Sequence, residues 1–340
     1  MADSRQLPLW PCPPGPPTLR DVANLVREGG ADALPAAERR ADQARYQAVR
    51  VKSALARAHG MPFKWALNPY RGCTHACEYC YARKYQSHLE LGAGDDFSTL
   101  IFVKENLPEV LARELARARW AHEHVAVGTA TDPYQPIEGR MTITRRCLTA
   151  LQESGTPFSI VTKGPMVVRD IDILSQASRG AGCSVFLSVP TVHETAWASL
   201  EPGTAPPAQR LRAVRTLTDA GIEAGVLMMP LVPGITTSRA AVEQTLEAIH
   251  RAGARFVGAN VAHFEDGVRG HFFAFLAREY PNLVEGYTQL YRKAYAPPDY
   301  VRQVKAMVSS VLSRIGQQRP SAAREPRERS GATGSPRASG

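Results

Sequence analysis

Between residues 61 and 315 the chain alternates short runs that are apolar almost throughout with longer amphipathic stretches, and this alternation restricts the fold more than any other feature. The runs FKWALN (63–68), TLIFVK (99–104), HVAVGTA (124–130), PFSIVTK (157–163), CSVFLSV (183–189), EAGVLMM (223–229) and RFVGANVA (255–262) predict strands buried on both faces. Apolar residues at helical spacing predict helices over 107–120, 144–154, 168–178, 208–221 and 238–253. Such strands, joined by helices, form a parallel sheet whose outer side the helices cover. Six or seven units predict an α/β fold, a full or partial parallel (β/α) barrel, with an open doubly wound sheet as the other arrangement. Both gather ligand contacts at the C-terminal ends of the strands.

Residues 1–60 read as an extension ahead of this domain. Pro8, Pro11, Pro13, Pro14, Pro16 and Pro17 deny residues 1–17 both helix and ladder hydrogen bonds, while TLRDVANLVREG (18–29) and AAERRADQARYQAV (36–49) predict short helices. Residues 316–340 hold almost no apolar side chain larger than alanine and predict a disordered basic tail. No stretch has the roughly 18 apolar residues of a membrane helix, and the N-terminus lacks a signal-peptide pattern, so a cytoplasmic protein is expected. Lys plus Arg exceed Asp plus Glu by 41 to 32, a formal charge of +9 that favours a polyanion such as nucleic acid. Residues 317–340 alone supply +3 of it, from five Arg and two Glu.

Three of the six cysteines fall within eight residues, as Cys73-x3-Cys77-x2-Cys80 directly after the first predicted strand. Three thiolates fit three corners of a 4Fe–4S cube, leaving the fourth iron free to bind a small molecule. A zinc site would want four ligands in paired spacings, and although His75 or His88 could be a fourth, no second pair follows downstream. A Cys77-x2-Cys80 redox pair leaves Cys73 unexplained. Cys147, on a predicted helix, and Cys183, at a strand start, read as small core residues.

The motif, with aromatic Tyr79 just before its last cysteine, resembles the signature of the radical S-adenosylmethionine (SAM) superfamily. The longer string NPYRGCTHACEYCYAR (68–83) is similar to the branch related to spore photoproduct lyase. GTATDPYQPIE (128–138), TKG (162–164), RDIDIL (169–174), LSVPT (187–191), LEPG (200–203), RLRAVRTLTDAGI (210–222) and MPLVPGI (229–235) fall where that branch has similar strings. The resemblance implies a 4Fe–4S cluster on Cys73, Cys77 and Cys80 that cleaves SAM reductively to a 5′-deoxyadenosyl radical. It also implies an electron donor such as flavodoxin or ferredoxin, and a nucleic-acid lesion as the first substrate to consider. The rival class is a zinc-dependent nucleic-acid-binding module without catalysis, which would need paired zinc spacings and aromatic-basic stripes; neither is visible.

The resemblance also implies roles at strand ends. Thr131 and Asp132 would contact the SAM amino group, unless they form an Asp-Pro turn that starts a helix. Lys163 would meet the SAM carboxylate or a substrate phosphate, unless it is an exposed lysine before Gly164. Ser188 would contact the SAM ribose, with Arg210 nearby; the plainer readings are a buried hydroxyl bonded to backbone and a solvated arginine. Tyr79 would pack near SAM and Tyr81 would relay a radical, or both would seal the cluster from solvent. Glu201 has no expected role beyond a salt bridge. His193, His263 and His271 follow strands and read as ordinary surface or core residues. Where the lyase places a hydrogen-donating cysteine, in a Cys-Thr-Ser-Asp string, this chain has Thr129-Ala130-Thr131-Asp132.

Overall fold

Six of the seven apolar runs pair in the order in which they occur. In the computed structural model, which describes residues 44–265 and 267–316 together with 18, 20, 21, 24 and 27, ten strands are seen. They are β1 (Arg45–Val49), β2 (Leu55–Arg57), β3 (Trp65–Leu67), β4 (Tyr70–Arg71), β5 (Leu100–Lys104), β6 (Val125–Val127), β7 (Phe158–Thr162), β8 (Cys183–Ser188), β9 (Glu223–Leu231) and β10 (Val257–Val261). The longer helices are α1 (Leu107–Leu115), α2 (Ile143–Glu153), α3 (Ile171–Arg179), α4 (Pro207–Asp219), α5 (Arg239–Arg251), α6 (Val268–Glu279) and α7 (Pro298–Arg314).

Seven strands form one sheet in the order β10-β9-β8-β7-β6-β3-β2, parallel except for β2, which runs antiparallel to β3. A doubly wound sheet reverses its strand order at a switch point. Here each parallel strand lies beside the next, and crossovers of constant hand then place the helices on one side. With β10 and β2 at its edges, the sheet is the partial form of the barrel. Its inner strands β6 and β7 are buried on both faces, as their composition requires: Val125, Ala126 and Val127 of β6 are closed to solvent, as are Phe158, Ser159 and Ile160 of β7.

Two expectations are corrected. Residues 99–104 form a strand, but β5 leaves the main sheet and joins a three-stranded one in the order β1-β5-β4. Its parallel partner is Arg45–Val49, the end of a segment expected to be helical. The apolar edge of β5 needs a partner, and pairing buries Val49 completely, which outweighs the helical propensity of RYQAV. Helices α6 and α7, beyond the last expected strand, complete the fold, α7 packing on α5 and β10. The expectations for residues 1–17 and 317–340 lie outside the described residues. Among the described residues, no helix is long and apolar enough to cross a membrane.

Candidate active site

The loop that carries the cysteines leaves β4 through Gly72, whose φ of 79° and closeness to the Leu100 carbonyl leave no room for a side chain. Cys73 and Cys77 are buried, Cys80 is half-buried, and all three thiols are free. The loop is pinned by Arg83, whose guanidinium is 2% exposed and donates to four carbonyls: Ala76 (2.9 Å), Cys77 (3.0 Å), Ala93 (3.1 Å) and Gly94 (2.8 Å). From the opposite side Gly203 N–H donates to the His75 carbonyl at 3.1 Å, and a side chain at Gly203 would run into Thr74. His271 of α6 lies 2.7 Å from Glu78 without the alignment of a hydrogen bond. Burial raises all three thiols, Cys77 to about 12, so an empty loop holds neutral thiols and a metal that binds must displace their protons.

The loop after β6 packs against this one. Thr131 Oγ1 donates to the Gly72 carbonyl at 2.6 Å, joined there by Gln135 Nε2 at 3.3 Å. Asp132 accepts from the Thr162 hydroxyl (2.6 Å), the Lys163 amide (2.6 Å) and the Tyr134 amide (2.9 Å), the last an Asx turn entering the helical segment. His75 Nδ1 lies 3.2 Å from its other side, again unaligned. Burial works against its ionisation, yet His75 beside it and these hydrogen bonds hold the Asp132 carboxyl at about 2. Both residues are thus tied to the cysteine loop through protein contacts. Upstream, Asn68 accepts from the Ala130 amide at 2.7 Å, which joins the NPYRG string to the same loop.

Beside Cys77 lies a charged cluster buried at the ends of β7 and β8. Glu201 accepts from the Tyr79 hydroxyl and from Arg210 Nη2 at 2.5 Å, with Lys163 Nζ at 3.8 Å. Arg210, fully buried, also donates to the Ser188 carbonyl (2.8 Å), Ala205 carbonyl (2.8 Å) and Thr204 hydroxyl (2.7 Å). Lys163 donates to Ser188 Oγ at 3.0 Å and stands 5.6 Å from the centroid of the Tyr79 ring. Burial alone would raise Glu201 and lower Lys163; instead the cations hold Glu201 below its ordinary value, and Cys77, once it is a thiolate, and the Glu201 carboxylate raise Lys163. Both stay charged in an enclosed space.

Tyr81 donates its hydroxyl to the Thr129 carbonyl at the rim. His193 is exposed, and Cys147 is fully buried in the apolar core. Cys183 is buried beside Ser178 at 3.1 Å. Arg83 and Gln135 received no role from the sequence although both lie in quoted strings, and only their burial reveals what they do.

The fold is an α/β one with a parallel sheet, and a buried polar cluster lies beside the cysteine loop at one rim of that sheet. Residues 67–249 match the family model of the radical SAM superfamily, and the chain belongs to that superfamily. It is 38% identical over 282 residues to uncharacterized proteins of Mycobacterium tuberculosis and Mycobacterium bovis, covering 81% of this chain and 83% of theirs. A radical SAM Nalpha-GlyT isomerase of Pseudomonas phage M6 is 28% identical over 174 residues, which is 50% of this chain and 33% of that protein. In fold the chain is similar to a spore photoproduct lyase mutant with bound AdoMet and dinucleoside spore photoproduct. That likeness has a TM-score of 0.63 at 15% identity and covers 89% of this chain and 84% of that one.

The residues fit the cofactors this superfamily implies. Among the described residues no three Cys, His, Asp or Glu side chains are grouped to hold a single metal ion. The three free thiols on one loop are the number of protein ligands that a cubane with one open iron takes, each thiolate binding a different iron. Thr74 Oγ1 is buried on the same loop without a hydrogen-bond partner.

Proposed function

We propose that the chain holds a 4Fe–4S cluster on Cys73, Cys77 and Cys80, binds SAM beside it, and acts on a lesion or modified base in nucleic acid. The observation that carries this reading is the set of three free thiols on one loop next to the buried cluster of Lys163, Glu201 and Arg210. With both groups bound, the chemistry supplied is one-electron cleavage of SAM to a 5′-deoxyadenosyl radical that removes a hydrogen atom from the substrate.

The protein's part is to bind, orient and exclude water. Lys163, kept charged by Glu201 and steered by Ser188, is the cation that the SAM carboxylate meets. Arg210 fixes Glu201 and, through it, the Tyr79 hydroxyl, so the Tyr79 ring is held beside Cys77. Thr131 and Asp132 act through the loop: they set the position of Gly72 and His75, and thereby of Cys73. The Ser188 hydroxyl, which donates to the Met229 carbonyl at 3.0 Å, has a lone pair left for the SAM ribose.

A nucleic-acid substrate is supported by the net charge of +9 and by the dinucleoside spore photoproduct bound in the lyase of similar fold. Radical SAM enzymes need an electron donor, here a flavodoxin or ferredoxin. Anaerobic reconstitution followed by iron, sulfide and 5′-deoxyadenosine assays tests the enzyme class. Turnover on modified oligonucleotides tests the substrate.

A further inference from the structure

His263 lies just past β10 and is bridged through its backbone to Tyr295 as an antiparallel pair, with the Phe264 amide donating to the Ala294 carbonyl at 2.8 Å. Residues opposed across such a bridge present their side chains next to each other. Here the rings stack, 5.1 Å apart and 11° from parallel. His263 also stacks on Tyr81, at 6.1 Å and 29°. Tyr81 adjoins Cys80 and is anchored at the end of β6. Three rings from distant parts of the chain therefore run from the cysteine loop to the surface.

The outer ring is open. Tyr295 is 63% exposed and, with Met61, one of two large hydrophobic side chains in open solvent among the described residues. A ring fixed by a backbone bridge has already lost its rotamer freedom, so stacking another ring on it costs little further entropy. Arg292 and Lys293 stand exposed on the same turn, and Lys84 reaches Glu265 at 2.5 Å close by. An open aromatic platform with cations around it suits a base carried on a phosphodiester backbone.

We propose that Tyr295 and His263 form a stacking ledge for a nucleobase of a single-stranded or flipped-out nucleic acid, at the mouth that leads past Tyr81 to the cysteine loop. This rests on the nucleic-acid reading above and names the contact that would recognise the base.

The test uses the full chain, reconstituted anaerobically, and two fluorescein-labelled probes: a short oligothymidylate and an abasic oligomer of the same length. Binding is followed by anisotropy. Tyr295→Ala is expected to weaken oligothymidylate binding about tenfold, the effect of losing one base–aromatic stack, and to leave the abasic oligomer unchanged. Tyr295→Trp restores the difference. Equal binding of the two probes by the unaltered chain, or an equal loss for both in Tyr295→Ala, overturns the ledge. SAM cleavage without substrate is measured on the same preparations and should be untouched by Tyr295→Ala. If the unaltered chain cleaves SAM but binds neither probe, the ledge and the nucleic-acid substrate fall while the enzyme class stands; if it cannot cleave SAM, the cofactor reading fails by itself.

Discussion

Arg210 meets Glu201 at 2.5 Å with both side chains sealed from solvent. Removing one member of such a pair strands the other as a buried charge, which costs ~3–5 kcal/mol. Arg210→Met should therefore lower the urea midpoint of unfolding sharply, and the double variant Arg210→Met/Glu201→Gln should recover part of the loss. Equal midpoints for the unaltered chain and Arg210→Met would show that the pair contributes nothing.

Arg83 holds the cysteine loop through four carbonyls, a task that needs the planar fork of a guanidinium. In Arg83→Lys the charge survives but most of those bonds do not. We expect reconstituted iron to fall by more than half while helical circular dichroism is retained. Full iron loading in Arg83→Lys would place the loop's rigidity elsewhere.

The fold was legible because burial on both faces leaves a compositional mark: all seven apolar runs are strands. Which sheet each joins was not legible, since β5 is as apolar as its neighbours and only its pairing with Arg45–Val49 sets it apart. That Cys73, Cys77 and Cys80 share one loop could be read from their spacing. Glu201 and Arg210 could not be joined, because an arginine on an amphipathic helix looks solvated until the chain folds over it. The stacked rings were hidden for another reason: Tyr81, His263 and Tyr295 lie in three separate segments, and only folding brings them together.

Lys104, the half-buried last residue of β5, whose ammonium donates to the Asn68 carbonyl at 2.7 Å, gives a pH signature. Burial lowers its pKa from 10.5 to about 8. Between those values the unfolded chain holds the proton that the folded chain has lost, so this residue makes stability rise with pH across that window. Lys104→Met removes the contribution. The stability of the unaltered chain minus that of the variant should climb by ~1–2 kcal/mol from pH 8 to 10.5, a difference in which the titrating thiols cancel. A flat difference would mean that Lys104 keeps its ordinary pKa.

Thr129 opens the string Thr129-Ala130-Thr131-Asp132, where the resemblance to the lyase branch would place a hydrogen-donating cysteine, and an aliphatic O–H bond is too strong to serve a carbon radical. Cys147, the next thiol along the chain, is fully buried in the core. Reduced enzyme with SAM should therefore not convert a spore-photoproduct dinucleotide cleanly to thymine monomers, as quantified by chromatography. Clean repair that disappears in Cys147→Ala would identify Cys147 as the donor.

The central claim is that Cys73, Cys77 and Cys80 carry a SAM-cleaving cluster, and anaerobic reconstitution tests it most directly. The account predicts a brown protein with about four iron and four sulfide per chain, as a cubane requires. It should release 5′-deoxyadenosine from SAM once reduced, and Cys77→Ala should lose both colour and activity. A colourless protein with one tightly bound zinc and no 5′-deoxyadenosine would contradict it.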